Sequence, residues 1–189
     1  MLISNIFKHL KLITKHKWVV FKLSCKAGIP WRGFLHDFSK YSPTEFLESI
    51  KYYNGHKSPI VQARLDKGYS TAWLHHKGRN KHHTEYWVDF NAPEKNPIMP
   101  YKYVAEMLCD KLAAGIVYQG KDWTKEYPLN YWIKEKDRIV ANEKIKDLIT
   151  DFMTQISRNG IEKVLNQKNL KELYKKHCGN PWQNGKILV

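Results

Sequence analysis

Cysteine is nearly absent: Cys25, Cys109 and Cys178 are the only three in 189 residues, far apart and with no C-x-x-C among them. That argues against both a disulfide framework and a thiolate zinc site, and it fits a reducing, cytoplasmic setting. Long apolar runs are missing too. No stretch approaches the roughly eighteen consecutive apolar residues a membrane span requires, so a soluble protein is expected. The apolar N-terminus is broken by Lys8, Lys11, Lys15 and Lys17 and carries no small-residue cleavage site, so it does not read as a signal peptide. Internal repeats, low-complexity tracts and period-two strand alternation are also lacking. Acid is scarce, with eighteen Asp and Glu against thirty-two Lys and Arg.

The resulting net charge of +14 makes anionic partners the expected ones: a small anionic substrate such as a nucleotide or phosphoester, or nucleic acid. The excess is densest at the start, where residues 1–40 hold eight basic groups and one acid, Asp37. Hydrophobic content of 42% places the chain among globular proteins, and its length suits one domain. Residues 1–120 are expected to form its core and residues 121–189 a C-terminal helical extension packed on it.

From Leu2 to about Ala27 apolar residues recur at three- and four-residue steps, predicting an amphipathic helix stopped by Gly28 and Pro30. A second helix is expected from about Pro30 to His36 or beyond. Ser42-Pro43-Thr44-Glu45 offers an N-cap, a proline at N1 and a capping-box Glu for a third, ending near Gly55. Ser58-Pro59 opens a fourth that reaches about Lys77 and is kinked or split by Gly68. Gly78 and Asn80 read as a C-cap and a new N-cap, so a fifth helix should start near Lys81 and carry His82, His83, Tyr86, Trp87 and Phe90. Residues 91–100, with three prolines, form a loop suited to covering a pocket. A sixth helix from Pro100 to Gly120 holds Glu106 and Asp110 amid apolar residues. Further helices are expected near Tyr131–Val140, Glu143–Arg158 and Asn169–His177. The fold class is all-α.

Four of the nine histidines, His75, His76, His82 and His83, fall within nine residues. Imidazole is the commonest protein ligand for zinc, iron and related metals, although histidines also cluster on solvated and nucleic-acid-binding faces. Adding His16, the pair His36-Asp37 and Asp110 gives the order H…HD…H…H…D on a helical chain. This order resembles the HD-domain superfamily, and the pair is followed by Ser39-Lys40 in the H-D-x-x-K pattern common there. His76-x-x-x-Asn80-x-His82-His83-x-Glu85, with Glu106-Met107-Leu108-Cys109-Asp110, is similar to a family of uncharacterised bacterial and phage HD-like proteins. One departure is that a single turn separates the middle histidines, where many two-metal members insert a helix.

The resemblance spans roughly residues 10–120 and implies an HD-like bundle around one or two divalent ions: manganese, iron, zinc, nickel or magnesium. It assigns His16, His36, Asp37 and Asp110 to the principal metal and His76 with His83 or His82 to a second site or to substrate. Mixed imidazole and carboxylate ligation supports this, because an incompletely filled shell leaves water bound with a lowered pKa. Adjacent positions on a helix point about 100° apart, so His36 and Asp37 reach one ion only at a helix end or from either side of it. A histidine left free, taken as His82, would hand a proton to the leaving group. Lys40 and Arg79 would hold a phosphoryl group. Glu85 and Glu106 read as ligand orienters or surface acids, and His9, His56 and His177 as surface residues. The expected function is a metal-dependent phosphohydrolase using a metal-activated water. The alternatives are a di-iron oxygenase and a nucleic-acid-binding module gripping through the first helix and Trp123, Tyr127, Tyr131 and Trp132.

Overall fold

In the computed structural model, residues 2–55 and 58–179 are described, with side chains from Asn5 onward; His56 lies outside them. Helix α1 (Leu2–Lys26) points its lysines other than Lys17 outward and buries His9, Ile13, His16, Val20 and Leu23 on one stripe. Two histidines thus share the helix's apolar face. Helix α2 (Pro30–Leu35) folds back on α1 at Gly33, where a Cβ would stand 2.4 Å from that of Ser24, so only glycine permits the approach. It ends at Leu35, earlier than expected. A 3-10 turn, Phe38–Tyr41, leads into α3 (Pro43–Lys51), whose cap is Ser42 accepting from the Glu45 amide.

The expected fourth helix is two helices. Gly68, at φ 83°, closes α4 (Pro59–Lys67), and the Ser70 hydroxyl caps α5 (Thr71–Arg79) by accepting from the Trp73 amide. A tertiary cap reinforces that start: the Glu48 carboxylate accepts from the amides of Thr71 and Ala72, the Ser70 hydroxyl and Lys67. Burial would raise the Glu48 pKa, yet the Lys67 ammonium and these donors hold it at about 2. A depressed folded-state pKa means that its contribution is complete above the usual 4.5 and lost as pH falls toward 2. Glu48→Ala is therefore expected to cost about 2 kcal/mol near neutrality, seen as a lower urea midpoint, with the gap to wild type closing across that acid window.

Beyond α5 the expected fifth helix does not form. Gly78 stays inside α5, and Asn80 spends its amide on the His76 carbonyl and the Ser39 hydroxyl instead of capping a new helix. Lys81 to His83 form a turn, followed by a 3-10 turn at Thr84–Trp87, and Phe90 is exposed. The loop at 91–100 is present, with Asn142 donating to Glu94 and the Asn96 carbonyl.

Helices α6 (Tyr101–Gln119), α7 (Tyr127–Glu135), α8 (Glu143–Asn159), α9 (Ile161–Val164) and α10 (Gln167–Cys178) complete the chain. Among the described residues there are ten α-helices and no strand, so the fold is all-α. None of these helices is long and apolar enough to cross a membrane. The buried stripe of α8, from Ile145 through Phe152 to Ile156, shares one apolar cluster with Val20 and Leu23 of α1 and Leu108 and Leu112 of α6. Full burial of a side chain such as Phe152 contributes about 2–3 kcal/mol. The Trp- and Tyr-rich passage belongs to this packing: Trp132 is buried with its indole donating to Thr150, and Tyr127 lies against Gly115. Tyr131 of the same passage is exposed, and another group of exposed aromatics, Trp18, Trp31, Phe34 and Phe38, lies on or beside α1 and α2.

Candidate metal centre

Away from that apolar cluster, α1 and α6 face α2, α3 and α5 across a polar interior. Close packing of α2 on α1 brings His36 beside His16, and the chain leaves the helix just before the pair that matters. His36 is extended (φ −52°, ψ 131°) and Asp37 is left-handed (φ 52°, ψ 30°). Asp37 is the one non-glycine residue with positive φ among those described. Asp tolerates that region better than most residues, at a modest cost in strain. The sharp change of direction sends both side chains inward, where a helix would have splayed them. Lys17 ties the turn to α1 by donating to the His36 carbonyl at 2.9 Å.

The Asp37 carboxylate joins two groups of donors. Its Oδ2 lies 3.2 Å from His36 Nε2 and 2.6 Å from Lys40 Nζ, whereas Oδ1 lies 3.3 Å from His76 Nε2 and 3.4 Å from His82 Nε2. His16, His36, Asp37 and Asp110 form one group and Asp37, His76, His82 and His83 another, each with donor atoms within 4.8 Å of one another. A third, overlapping group joins His36 and His82 to Glu106.

These donors aim past each other. His16 Nε2 is 2.9 Å from Asp110 Oδ1 and His36 Nε2 is 3.5 Å from it. Yet the Nε2 atoms of His16, His36, His82 and His83 and Oδ1 of Asp37 are buried with no aligned hydrogen-bond partner among the described residues. Buried polar atoms rarely stay unpaired, and four imidazole nitrogens orphaned together want a cation. Ligands about 2.1 Å from one ion stand about 3–4 Å apart, which matches the spacings here. The residues of these groups could hold a metal ion.

The far side of each ring is anchored. Glu106, 2% exposed on α6, accepts from His36 Nδ1 at 3.1 Å and lies 3.3 Å from His82 Nδ1, and Arg32 donates to its other oxygen at 2.5 Å. Glu45 accepts from His75 at 2.7 Å and from His76 at 2.8 Å, both through Nδ1. Carboxylates on Nδ1 place the proton there and turn the Nε2 lone pair inward. Charge follows the same plan. Burial would raise the Asp37 and Asp110 carboxyls, but the surrounding histidines, with Lys40 on Asp37, hold both well below the usual range. Burial alone would lower His36, and the carboxylates of Asp37, Asp110 and Glu106 reverse that. At His83 the balance goes the other way: burial and the charges of His82 and His76 push it well down, outweighing the carboxylates of Asp110 and Asp37.

The structure thus gathers His16, His36, Asp37, His76, His83 and Asp110, and His82 stands among them, 1% exposed, rather than apart as a proton donor. Lys40 is seated on Asp37. Arg79 is not gathered: it ends α5, exposed and without an ion pair among the described residues. His9, expected at the surface, is 5% exposed because α3 crosses α1 and sets Phe46 and Tyr53 against it. His177 is half-buried against Asp151. Glu45 and Arg32 were missed. The capping-box role absorbed Glu45, and Arg32 has no local partner to mark it.

A cavity of about 210 Å³ opens beside the donors, lined by His16, Lys40, His76 and Asp110 and running to His9; residues 91–100 do not line it. No curated protein and no solved structure matches the chain. The model of the family of unknown function DUF5662 matches residues 5–158, a span that includes every donor of both groups, and the chain belongs to that family.

Proposed function

We propose that the chain is a metal-dependent phosphohydrolase that cleaves a phosphoester with water. The observation that carries this reading is the division of the Asp37 carboxylate between two donor groups, the arrangement that lets one side chain bridge two divalent ions. Ions held there by these residues would supply Lewis acidity toward a phosphoryl oxygen and would lower the pKa of water. The chain's residues do the rest. Glu45 and Glu106 fix the tautomers of His76, His36 and His82, so that ligation costs no reorganisation. Lys40, which touches Asp37 and also lines the cavity, puts a fixed positive charge where a phosphoryl oxygen enters. In the reaction the water oxygen bonds to phosphorus, the ester P–O bond breaks, and the leaving oxygen takes up a proton.

Elemental analysis of the purified protein, paired with a hydrolysis screen over nucleotides and generic phosphoesters, tests the proposal. Phosphate release that a chelator abolishes and metal restores is the expected result. Two irons per chain with a mixed-valence signal and no phosphate release would select a di-iron oxygenase. Protein that neither carries nor takes up a transition metal overturns both.

A second reading, nucleic-acid binding, has its own support in the lysines of α1 and the exposed rings of Trp18, Trp31 and Phe34 beside them. Salt-sensitive binding to DNA or RNA that survives His36→Ala with Asp37→Ala supports it, and no binding at low salt removes it.

A further inference from the structure

The cavity's far end is unassigned by anything above. It extends from His16, Lys40 and Asp110 along α1 to His9, which is two helical turns, about 10 Å, from His16. Between these ends the wall is largely carbon, from Leu12, Ile13, Ala114 and Val117. The volume of about 210 Å³ exceeds the roughly 150 Å³ that holds benzene and falls short of the roughly 300 Å³ where sites for drug-sized ligands begin. One ring with a small substituent fills it. A nucleoside, about twice that size, does not.

The polar end selects further. His9 packs against Phe46 and Tyr53, and its buried Nδ1 has no hydrogen-bond partner among the described residues. Burial and the Lys40 charge lower its pKa to about 4, so at neutral pH the ring is uncharged and suits a neutral hydroxyl or carbonyl. The carboxylates of Glu45 and Asp110 also line the cavity and repel a second anionic group.

We infer that the substrate is the phosphomonoester of a compact, uncharged alcohol bearing a hydroxyl or carbonyl group, with its organic body in this cavity and that group hydrogen-bonded by His9. The inference rests on the phosphohydrolase reading. It makes His9 a specificity residue, with the phosphoryl group at the metal end beside Lys40.

The test compares initial rates of the metal-loaded full chain on phenyl phosphate, 3- and 4-hydroxyphenyl phosphate and adenosine 5′-monophosphate. The better hydroxyphenyl ester should lead phenyl phosphate about fivefold in kcat/KM, the worth of one neutral hydrogen bond, and lead the nucleotide at least about tenfold. His9→Phe keeps a ring against Phe46 and Tyr53 and should erase the preference for the hydroxyl. A purely structural role would lower both aryl esters equally, and that result overturns the assignment. Ala114→Leu, on another wall, should raise KM for the aryl esters about tenfold at wild-type metal content. Preference for the nucleotide, or indifference to both variants, overturns this inference and leaves the phosphohydrolase reading standing. Absence of hydrolysis with every ester overturns both.

Discussion

Asp37→Asn is expected to lower phosphoester hydrolysis at least about a thousandfold, a loss of about 4 kcal/mol of transition-state stabilisation, in a protein that remains folded. Asparagine has nearly the same shape as aspartate and also tolerates the left-handed backbone at residue 37, so the turn is kept. What goes is the charge on two oxygens that face two sets of imidazoles. An amide offers one good oxygen donor and cannot bridge, so bound metal should fall together with activity. Asp37→Ala should lose the same activity and additionally about 1 kcal/mol of stability, because alanine pays the full left-handed penalty. Metal content, circular dichroism and rate measured on both variants check this. An Asp37→Asn protein with its full metal complement and wild-type rate would sink the bridging assignment and the proposed chemistry with it.

What could be read from the residues follows from how far each signal reaches along the chain. Caps are local, so Ser42, Gly28 and the split at Gly68 were legible, and so was the amphipathic stripe that makes α1 and α8 helices. The donor set was legible because residue types in order carry it: His16, His36, Asp37, His76, His83 and Asp110 do converge. Asn80 shows the opposite case. Its local pattern is that of an N-cap, but the partner that decides its conformation, Ser39, is 41 residues away. Glu45 likewise satisfies a local rule while its carboxylate serves His75 and His76 some thirty residues on. His9 did carry a signal, because it stands four residues before Ile13 and seven before His16 on the buried stripe. Standing outside any motif, it reads as a surface residue unless that spacing is weighed. The geometry at His36-Asp37 depends on Gly33 meeting Ser24 across two helices, a contact that no periodicity encodes.

Glu106→Ala should be the most destabilising single change at the centre, by about 3 kcal/mol in metal-free protein, because it strips the acceptor from two buried imidazoles and the counter-ion from a half-buried guanidinium. The His36 and His82 Nδ1 atoms and the Arg32 guanidinium all converge on this carboxylate. Its pKa of about 2 reflects them: burial would raise it, and His36, His82 and Arg32 outweigh burial. Metal affinity should fall separately, by about 10–100-fold, since nothing would fix the tautomers of two ligating rings. The two losses have different sources and can be separated. Arg32 packs its guanidinium 4.4 Å from the Tyr103 ring, so Arg32→Met fills much of the same apolar space without a charge. Combined with Glu106→Ala it should recover a small part of the stability, because no half-buried guanidinium is left without its carboxylate. It should recover none of the metal affinity, because His36 and His82 still lack their acceptor. Chemical denaturation of the chelated protein gives the first quantity and competition with a metal indicator the second. Recovery of both together would mean that Glu106 acts only as a counter-ion to Arg32, and the two histidines would then owe their orientation to packing alone.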